Sequence, residues 1–447
     1  MKNPPALVNL DPLRDCFEGA VPCPIATCDA DGTPNISYLS QVQYVDREHV
    51  ALTFQFFNKT RRNVLANPHA QVTVVDPFTF ASYRLTLHYL RTETAGPLFE
   101  SMKAKLAGIA SHSGMEGVYR LMGSDVYRVS AVEALDHGRP SPLVRTNSLP
   151  VLRMLTQRLS ACADLAGLCD TLLGGLREGL GIRHAMLLML DECGSRLYTV
   201  ASSGYAESGV GSEIPLGAGV IGVAARERTP IRISHMTAEY AYNAAIRAHS
   251  IAHGLDLETE IPLPGLAASR SQLAVPIVHG ERLFGVIYVE SDQELRFSYD
   301  DEDALMTLAN HIALIMQQCG MQPERADGET LVKAVANEAQ GAPVRIRHYA
   351  ADHSVFLDDD YLIKGVAGAI FWRLATQYTE AGRDSFSNRE LRLDPALALP
   401  ALGDNLEARL LLLQRRLAER QACVQMERIG RGRFRLQVRR PLQLHSQ

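Results

Sequence analysis

Between about residues 15 and 140, short runs rich in β-branched and aromatic residues follow one another: IATCDA, ISYLSQVQYV, VALTFQF, AQVTVVD, RLTLHYLRTE and DVYRVSAVEAL. Turn signals such as Asp31-Gly32 separate them, and a single helical stretch, PLFESMKAKLAGIAS, interrupts them. Many short strands with few helices predict a closed β barrel, because closure removes unpaired edges. A barrel of this kind uses less than a third of the 447 residues. The whole chain is too long for one core, and about three domains are expected.

The pattern changes at about residue 150. VLRMLTQRLSACADLAGLCDTLLGGLREGLG carries apolar residues at three- and four-residue spacing and reads as a long helical stretch. HAMLLMLDE, SRLYTVASSG and SQLAVPIVHGERLFGVIYVES follow as strands, and DEDALMTLANHIALIMQQ as a final helix. Cys162 and Cys169, seven apart on that first helical stretch, are read as core packing. Residues 321–343, rich in Ala, Glu and Gly without a sustained apolar period, are expected to be a linker.

The last hundred residues form a third unit. VRIRHYAADHSVFLDDDYLIKG reads as strands around Asp358-Asp359-Asp360, and GVAGAIFWRLATQYTEAG as an amphipathic helix holding the only tryptophan, Trp372. Ser387 and Glu390 make an S-x-x-E capping box at the start of a second helix. A third helix aligns Leu406, Leu410, Leu413 and Leu417 on one face, and VQMERIGRGRFRLQV closes as a hairpin.

Charge is distributed unevenly. The net charge is −5, yet residues 401–440 hold ten arginines against four acidic residues, a net +6. The remainder is therefore close to −11, and the asymmetry points to an anionic partner at the C-terminal end. No apolar run approaches the roughly 20 residues that cross a bilayer, so no membrane is expected. The N-terminal MKNPPALVNLDPLRD lacks an apolar signal region, and the eight cysteines are scattered without a CxxC or Cys/His cluster. A cytoplasmic location and no metal site are the expectations.

One stretch poses a chemical question. FFNKTRRNVLANP sets Lys59, Thr60, Arg62 and Asn63 at the start of a short helix after a strand. Cations at a helix N-terminus are mildly unfavourable unless an anion is bound, since free N–H groups already make that end positive. The alternatives are an anion site and a solvated first turn.

DGTPNISYLSQV, VALTFQFFNKTRRNVLANPHAQVTVVD and the late DVYRV resemble the FMN-binding split barrel of the pyridoxamine-phosphate-oxidase-like family over about 125 residues. The resemblance implies that Lys59 and Thr60 contact a flavin phosphate, with Arg62 and Asn63 beside them, and that the protein is a homodimer with flavin at the interface. Where the oxidases carry an Arg and a Lys on the strand NISYLSQ, this chain offers Asn35, Ser37, Ser40 and Gln41. IPLGAGVIGVAARERTPIRI, SQLAVPIVHGERLFGVIYVES and FSYDDEDALMTLANHIA resemble a GAF domain, a small-ligand sensor. The resemblance implies a pocket beside Ile233–Arg270, where His235, Arg247, His249 and His253 are pocket candidates. A histidine there is more often surface or hydrogen-bonded than a metal or haem ligand. Residues 345–440 resemble the winged-helix effector domain of response regulators. That implies Arg409, Arg415 and Arg416 on or beside a recognition helix, with Arg431 and Arg433 on the wing, contacting double-stranded DNA.

The expected architecture is therefore multidomain: a β split barrel (1–140), an α+β GAF domain (145–320), a linker (321–343) and a winged helix-turn-helix-like domain (344–447). The expected function is a cytosolic one-component regulator that senses a small ligand or redox state and binds DNA. Two rivals stand beside it: a flavin-dependent oxidoreductase with a regulatory GAF domain, and a GAF-regulated protein-docking module. No catalytic constellation is visible.

Overall fold

The computed structural model describes all residues except 1–7, 20, 56–58, 113–120, 140–146, 192, 235–260, 322–340, 398–405 and 431. The N-terminal unit opens with a 3-10 helix, Asp11–Phe17, that buries Leu13 and Phe17. Its seven strands are β1 (Cys23–Cys28), β2 (Pro34–Leu39), β3 (Val42–Tyr44), β4 (His49–Phe54), β5 (His69–Val75), β6 (Ser82–Glu93) and β7 (Gly123–Asp136). They form one antiparallel sheet in the order β2-β1-β5-β6-β7-β4-β3. The run ISYLSQVQYV makes two strands rather than one, with the break at Ser40-Gln41. Alternate residues of the strands, among them Ile25, Val50, Leu52, Val72, Val74, Leu85 and Leu87, point into one core. Helix α1 (Lys59–Ala66) closes one end, and α2 (Pro97–His112) packs Phe99, Met102 and Leu106 on Ala51 and Val126.

The central unit has six antiparallel strands: β8 (His184–Leu190), β9 (Arg196–Ser203), β10 (Glu213–Pro215), β11 (Ile231–Ile233), β12 (Ser271–His279) and β13 (Arg282–Ser291), ordered β10-β9-β8-β13-β12-β11. Helices α3 (Leu149–Ser160), α4 (Leu165–Gly179) and α6 (Tyr299–Met321) cover one face, and α5 (Gly219–Glu227) the other. The helical run 151–181 is thus two helices. Asp164 is extended and its side chain accepts the Gly167 N–H, so it caps a new helix instead of continuing the old one. Cys162 falls in the break, while Cys169 is fully buried in the core.

The C-terminal unit runs β14 (Val344–Tyr349), β15 (Ser354–Leu357), β16 (Asp360–Ile363), α7 (Gly365–Ala381), β17 (Ser385–Ser387), α8 (Asn388–Leu393), α9 (Leu406–Glu419), β18 (Val424–Gly430), β19 (Arg433–Val438) and β20 (Leu442–Ser446). One sheet is β16-β15-β14-β20 and the other β17-β19-β18. Asp358 takes the left-handed conformation, φ 54°, that the tight β15–β16 turn requires. The capping box is present in full: Ser387 accepts the Glu390 N–H, and Glu390 accepts the Ser387 N–H.

A buried ionic cluster joins the first two units. Arg232 on β11 has no exposed side chain; its Nη1 donates to Glu18, and its Nε donates to Glu302 at 2.7 Å. The guanidinium also lies 4.1 Å over the Tyr299 ring and donates to the Phe297 carbonyl at 3.2 Å. Lys105 of α2 reaches the same place, donating to Gln43 at 2.8 Å. Burial, aided by Arg232 and opposed by Glu18 and Glu302, lowers the Lys105 pKa to about 8. This gives a pH prediction. The unfolded lysine keeps its proton up to its ordinary 10.5, whereas the folded one releases it above about 8. Between those values the unfolded chain binds more protons, so the Lys105 contribution to stability rises with pH. Buried thiols such as Cys16 and Cys23, pushed to about 12, work in the opposite direction in part of that window. The Lys105 part is therefore the difference between wild type and Lys105→Met in urea unfolding. A difference that stays constant from pH 7.5 to about 10.5 would count against a buried, depressed Lys105.

Candidate ligand and nucleic-acid sites

Helix α1 has no acidic residue in its first turn. Lys59 and Arg62 are exposed there, whereas Thr60 and Asn63 are buried and already engaged. The Asn35 amide donates to the Thr60 hydroxyl at 2.9 Å, and the Asn63 amide donates to Thr27 at 3.2 Å. Asn35 on β2 and Thr27 on β1 thereby seat the helix on the sheet. Arg61 fixes its far side, donating to Asp125 at 2.7 Å and to Thr92 at 2.7 Å, with Phe54 under the guanidinium at 4.7 Å. Of the four residues the sequence nominates, Lys59 and Arg62 have the exposure and charge to hold a phosphate. Thr60 and Asn63 position the helix that carries them. Beside α1, Ile36 and Tyr38 on edge strand β2 are each 74% exposed, and Leu65 is 58% exposed.

In the central unit, three polar residues line up across three strands on the face covered by α5. Glu290 of β13 stands opposite His184 of β8 on one side and Gln272 of β12 on the other. Glu290 is almost wholly buried; it accepts the Leu266 N–H at 3.0 Å and the Tyr288 hydroxyl at 3.4 Å. Burial raises its pKa against the pull of the Ser269 and Tyr205 side chains, the Leu266 N–H and His184. The His184 ring lies 5.5 Å from that of Tyr205. A carboxyl of this kind, next to an imidazole, can accept or donate a hydrogen bond to a small polar ligand. Sequence reasoning passed over this row. The available signal was a glutamate closing the otherwise apolar run FGVIYVE. The residues it did nominate, His235, Arg247, His249 and His253, lie outside the described residues.

In the C-terminal unit the nominated arginines separate. Arg409 and Arg416 are buried, and Arg415 is held by hydrogen bonds. The Arg409 guanidinium lies 3.8 Å over the Tyr198 ring of β9. Arg415 donates to the Val200 carbonyl at 2.9 Å and to Asp170 at 2.8 Å. Arg416 donates to the Leu362 carbonyl and to Glu419. Arg409 and Arg416 are enclosed, and Arg415 is only partly exposed. Arg433 is exposed on the hairpin and Arg439 just beyond it, Arg428 is partly exposed but paired with Asp164, and Arg431 lies outside the described residues.

Family models match two of the three units. The pyridoxamine 5'-phosphate oxidase model matches residues 11–131, and the GAF domain model residues 162–317. The chain carries a pyridoxamine 5'-phosphate oxidase-like domain followed by a GAF domain. Among solved structures, the GAF domain of an Acinetobacter phosphoenolpyruvate-protein phosphotransferase is 22% identical, with 39% of this chain and 96% of that chain covered and a TM-score of 0.31. HupZ of Group A Streptococcus is 23% identical over 29% of this chain and 96% of its own, with a TM-score of 0.23. An FMN-binding protein from Syntrophomonas wolfei is 13% identical over 30% of this chain and 86% of its own, with a TM-score of 0.24. No curated protein matches the chain. The two domains support a ligand-sensing regulatory or flavin-related role. No helix among the described residues is long and apolar enough to cross a membrane, and these residues hold no cluster of three metal-ligating side chains.

Proposed function

We propose that the chain is a one-component regulator in which the GAF domain senses a small polar ligand and the C-terminal unit, read as a winged helix, binds double-stranded DNA. The direct packing of arginine-rich α9 on β9 of the GAF domain carries this reading, because it places the output element on the sensor itself. The row His184–Glu290–Gln272 supplies the hydrogen-bonding groups for the GAF ligand. The exposed arginines of the β18–β19 hairpin supply phosphate contacts. The reading includes a cytosolic homodimer. Edge strand β2, paired only with β1 among the described residues and presenting Ile36 and Tyr38, is the surface a second copy would cover.

In the same reading, Lys59 and Arg62 hold the phosphate of FMN, whose isoalloxazine supplies redox chemistry when bound. Lys59→Ala removes one charge-assisted contact, about 1.5–3 kcal/mol, so FMN affinity should fall roughly ten- to a hundredfold by fluorescence titration. A folded wild-type chain that leaves FMN free in solution removes the flavin from the account.

The DNA reading is tested on the hairpin. Arg433→Ala should weaken binding to all duplex sequences alike and make the log–log salt slope shallower by about one. A second reading treats the arginine face of α9 as a protein-docking surface, and the contacts of Arg409 and Arg415 with the GAF domain favour it. Absence of duplex binding at low salt, both in the wild type and in forms whose α9 is released from the GAF domain, would favour docking over DNA.

A further inference from the structure

The GAF domain and a DNA duplex would use the same face of α9. Arg409, Leu412, Arg416 and Glu419 recur at the three- and four-residue spacing that makes one stripe along a helix. Every member of that stripe meets the GAF domain. Arg409 stacks on Tyr198 at 3.8 Å, and Glu419 accepts the Ser208 hydroxyl at 2.7 Å. A side chain at Gly211 would meet Leu412 at 3.6 Å and Arg416 at 3.8 Å. Arg415, at the edge of the stripe, is held by Asp170 and the Val200 carbonyl. Ion pairs flank the helix on both sides, from Arg428 to Asp164 and from Lys364 to Glu213, the latter at 3.7 Å.

We infer that the GAF domain is an intramolecular competitor of DNA, masking the arginine stripe of α9 so that the unit reads DNA only after undocking. The inference rests on the DNA reading above. A helix enters a major groove about 12 Å wide only with its reading face free, and here that face lies on β9 and α4. The docked and undocked forms are the two states a GAF ligand can bias. β9, which carries Tyr198 and Val200, is hydrogen-bonded to β8, which carries His184. A ligand that binds one state more tightly than the other shifts the equilibrium, and DNA shifts it reciprocally.

Apolar packing joins the two units in one core, and charged pairs at its edge can be reversed without touching that core. Asp170 is exposed on α4 and touches no residue of the proposed ligand row or hairpin. Asp170→Arg sets a like charge against Arg415, and Glu213→Lys does the same against Lys364. Each full-length variant is titrated with a labelled mixed-sequence duplex at about 50 mM salt, and hydrogen exchange is followed over 406–419. Both variants should bind about tenfold or more tightly than wild type, with faster exchange in that segment. Equal affinity in wild type and both variants, with exchange accelerated, would overturn the masking and leave the DNA reading standing. Absence of binding in every form, with exchange accelerated, would overturn the DNA reading itself. Unchanged exchange in both variants would show that these charges do not hold the interface, and would overturn the masking as described.

Discussion

Replacing Arg232 by methionine is expected to destabilise the chain by about 3–5 kcal/mol, the largest single-residue effect we foresee. Arg232 has no solvent, and its two carboxylate partners come from opposite sides of a domain boundary: Glu18 from the oxidase-like domain and Glu302 from the GAF domain. Burial works against the charge, but the two carboxylates outweigh it and hold the guanidinium pKa above its ordinary value. Methionine fills a similar length but leaves buried Glu18 and half-buried Glu302 facing each other across the seam. Those acids would then be stabilised mainly by Lys105, whose pKa Arg232 now helps to depress. The variant should therefore lose stability at the seam and raise the Lys105 pKa together. Urea unfolding followed at several pH values checks both. A variant within about 0.5 kcal/mol of wild type would mean that the two domains do not depend on this cluster.

How much of this could be read from the chain depends on the range of the interactions involved. Local patterns were sufficient for most elements. The alternation in HAQVTVV and SYRLTLHYLRTE gives strands β5 and β6, and Ser387 with Glu390 gives a helix start that the structure reproduces atom for atom. Breaks within continuous apolar runs were less legible. LSACADLAG keeps helical spacing through the point where Asp164 caps a second helix, because leucine periodicity persists on both sides of the cap. Isolated charges in apolar strands carried more information than their context suggested. Arg232 between two buried isoleucines, and Glu290 after Tyr288-Val289, each mark a buried polar contact. The least legible feature was α9. Its leucines at 406, 410, 413 and 417 give one apolar face, and the resemblance places its arginines on a DNA-reading surface. They are covered because Tyr198, Val200 and Asp170, more than 200 residues earlier, fold against them. No periodicity within α9 encodes that partner. Of the residues proposed for a flavin phosphate, the charge of Lys59 and Arg62 was legible, while the anchoring by Asn35 and Thr27 required the sheet to be assembled.

Binding of double-stranded DNA that collapses with salt is the second large effect. Residues 401–440 carry a net +6 in a chain that is otherwise acidic, and DNA affinity driven by phosphate contacts must release counterions. Four or five contacts from the α9 stripe and the hairpin give a slope of about −4 in log affinity against log salt. Between about 50 and 200 mM salt that is a loss on the order of 250-fold. The form to use is full-length Asp170→Arg, whose like charge against Arg415 is expected to release the arginine face from the GAF domain. Its affinity for a mixed-sequence duplex across this salt range is the most direct measurement of the account. We predict tight binding at the low end and a slope near −4. A folded Asp170→Arg chain with accelerated exchange over 406–419 that still leaves the duplex unbound at about 50 mM salt, where the electrostatic contribution is largest, would contradict it.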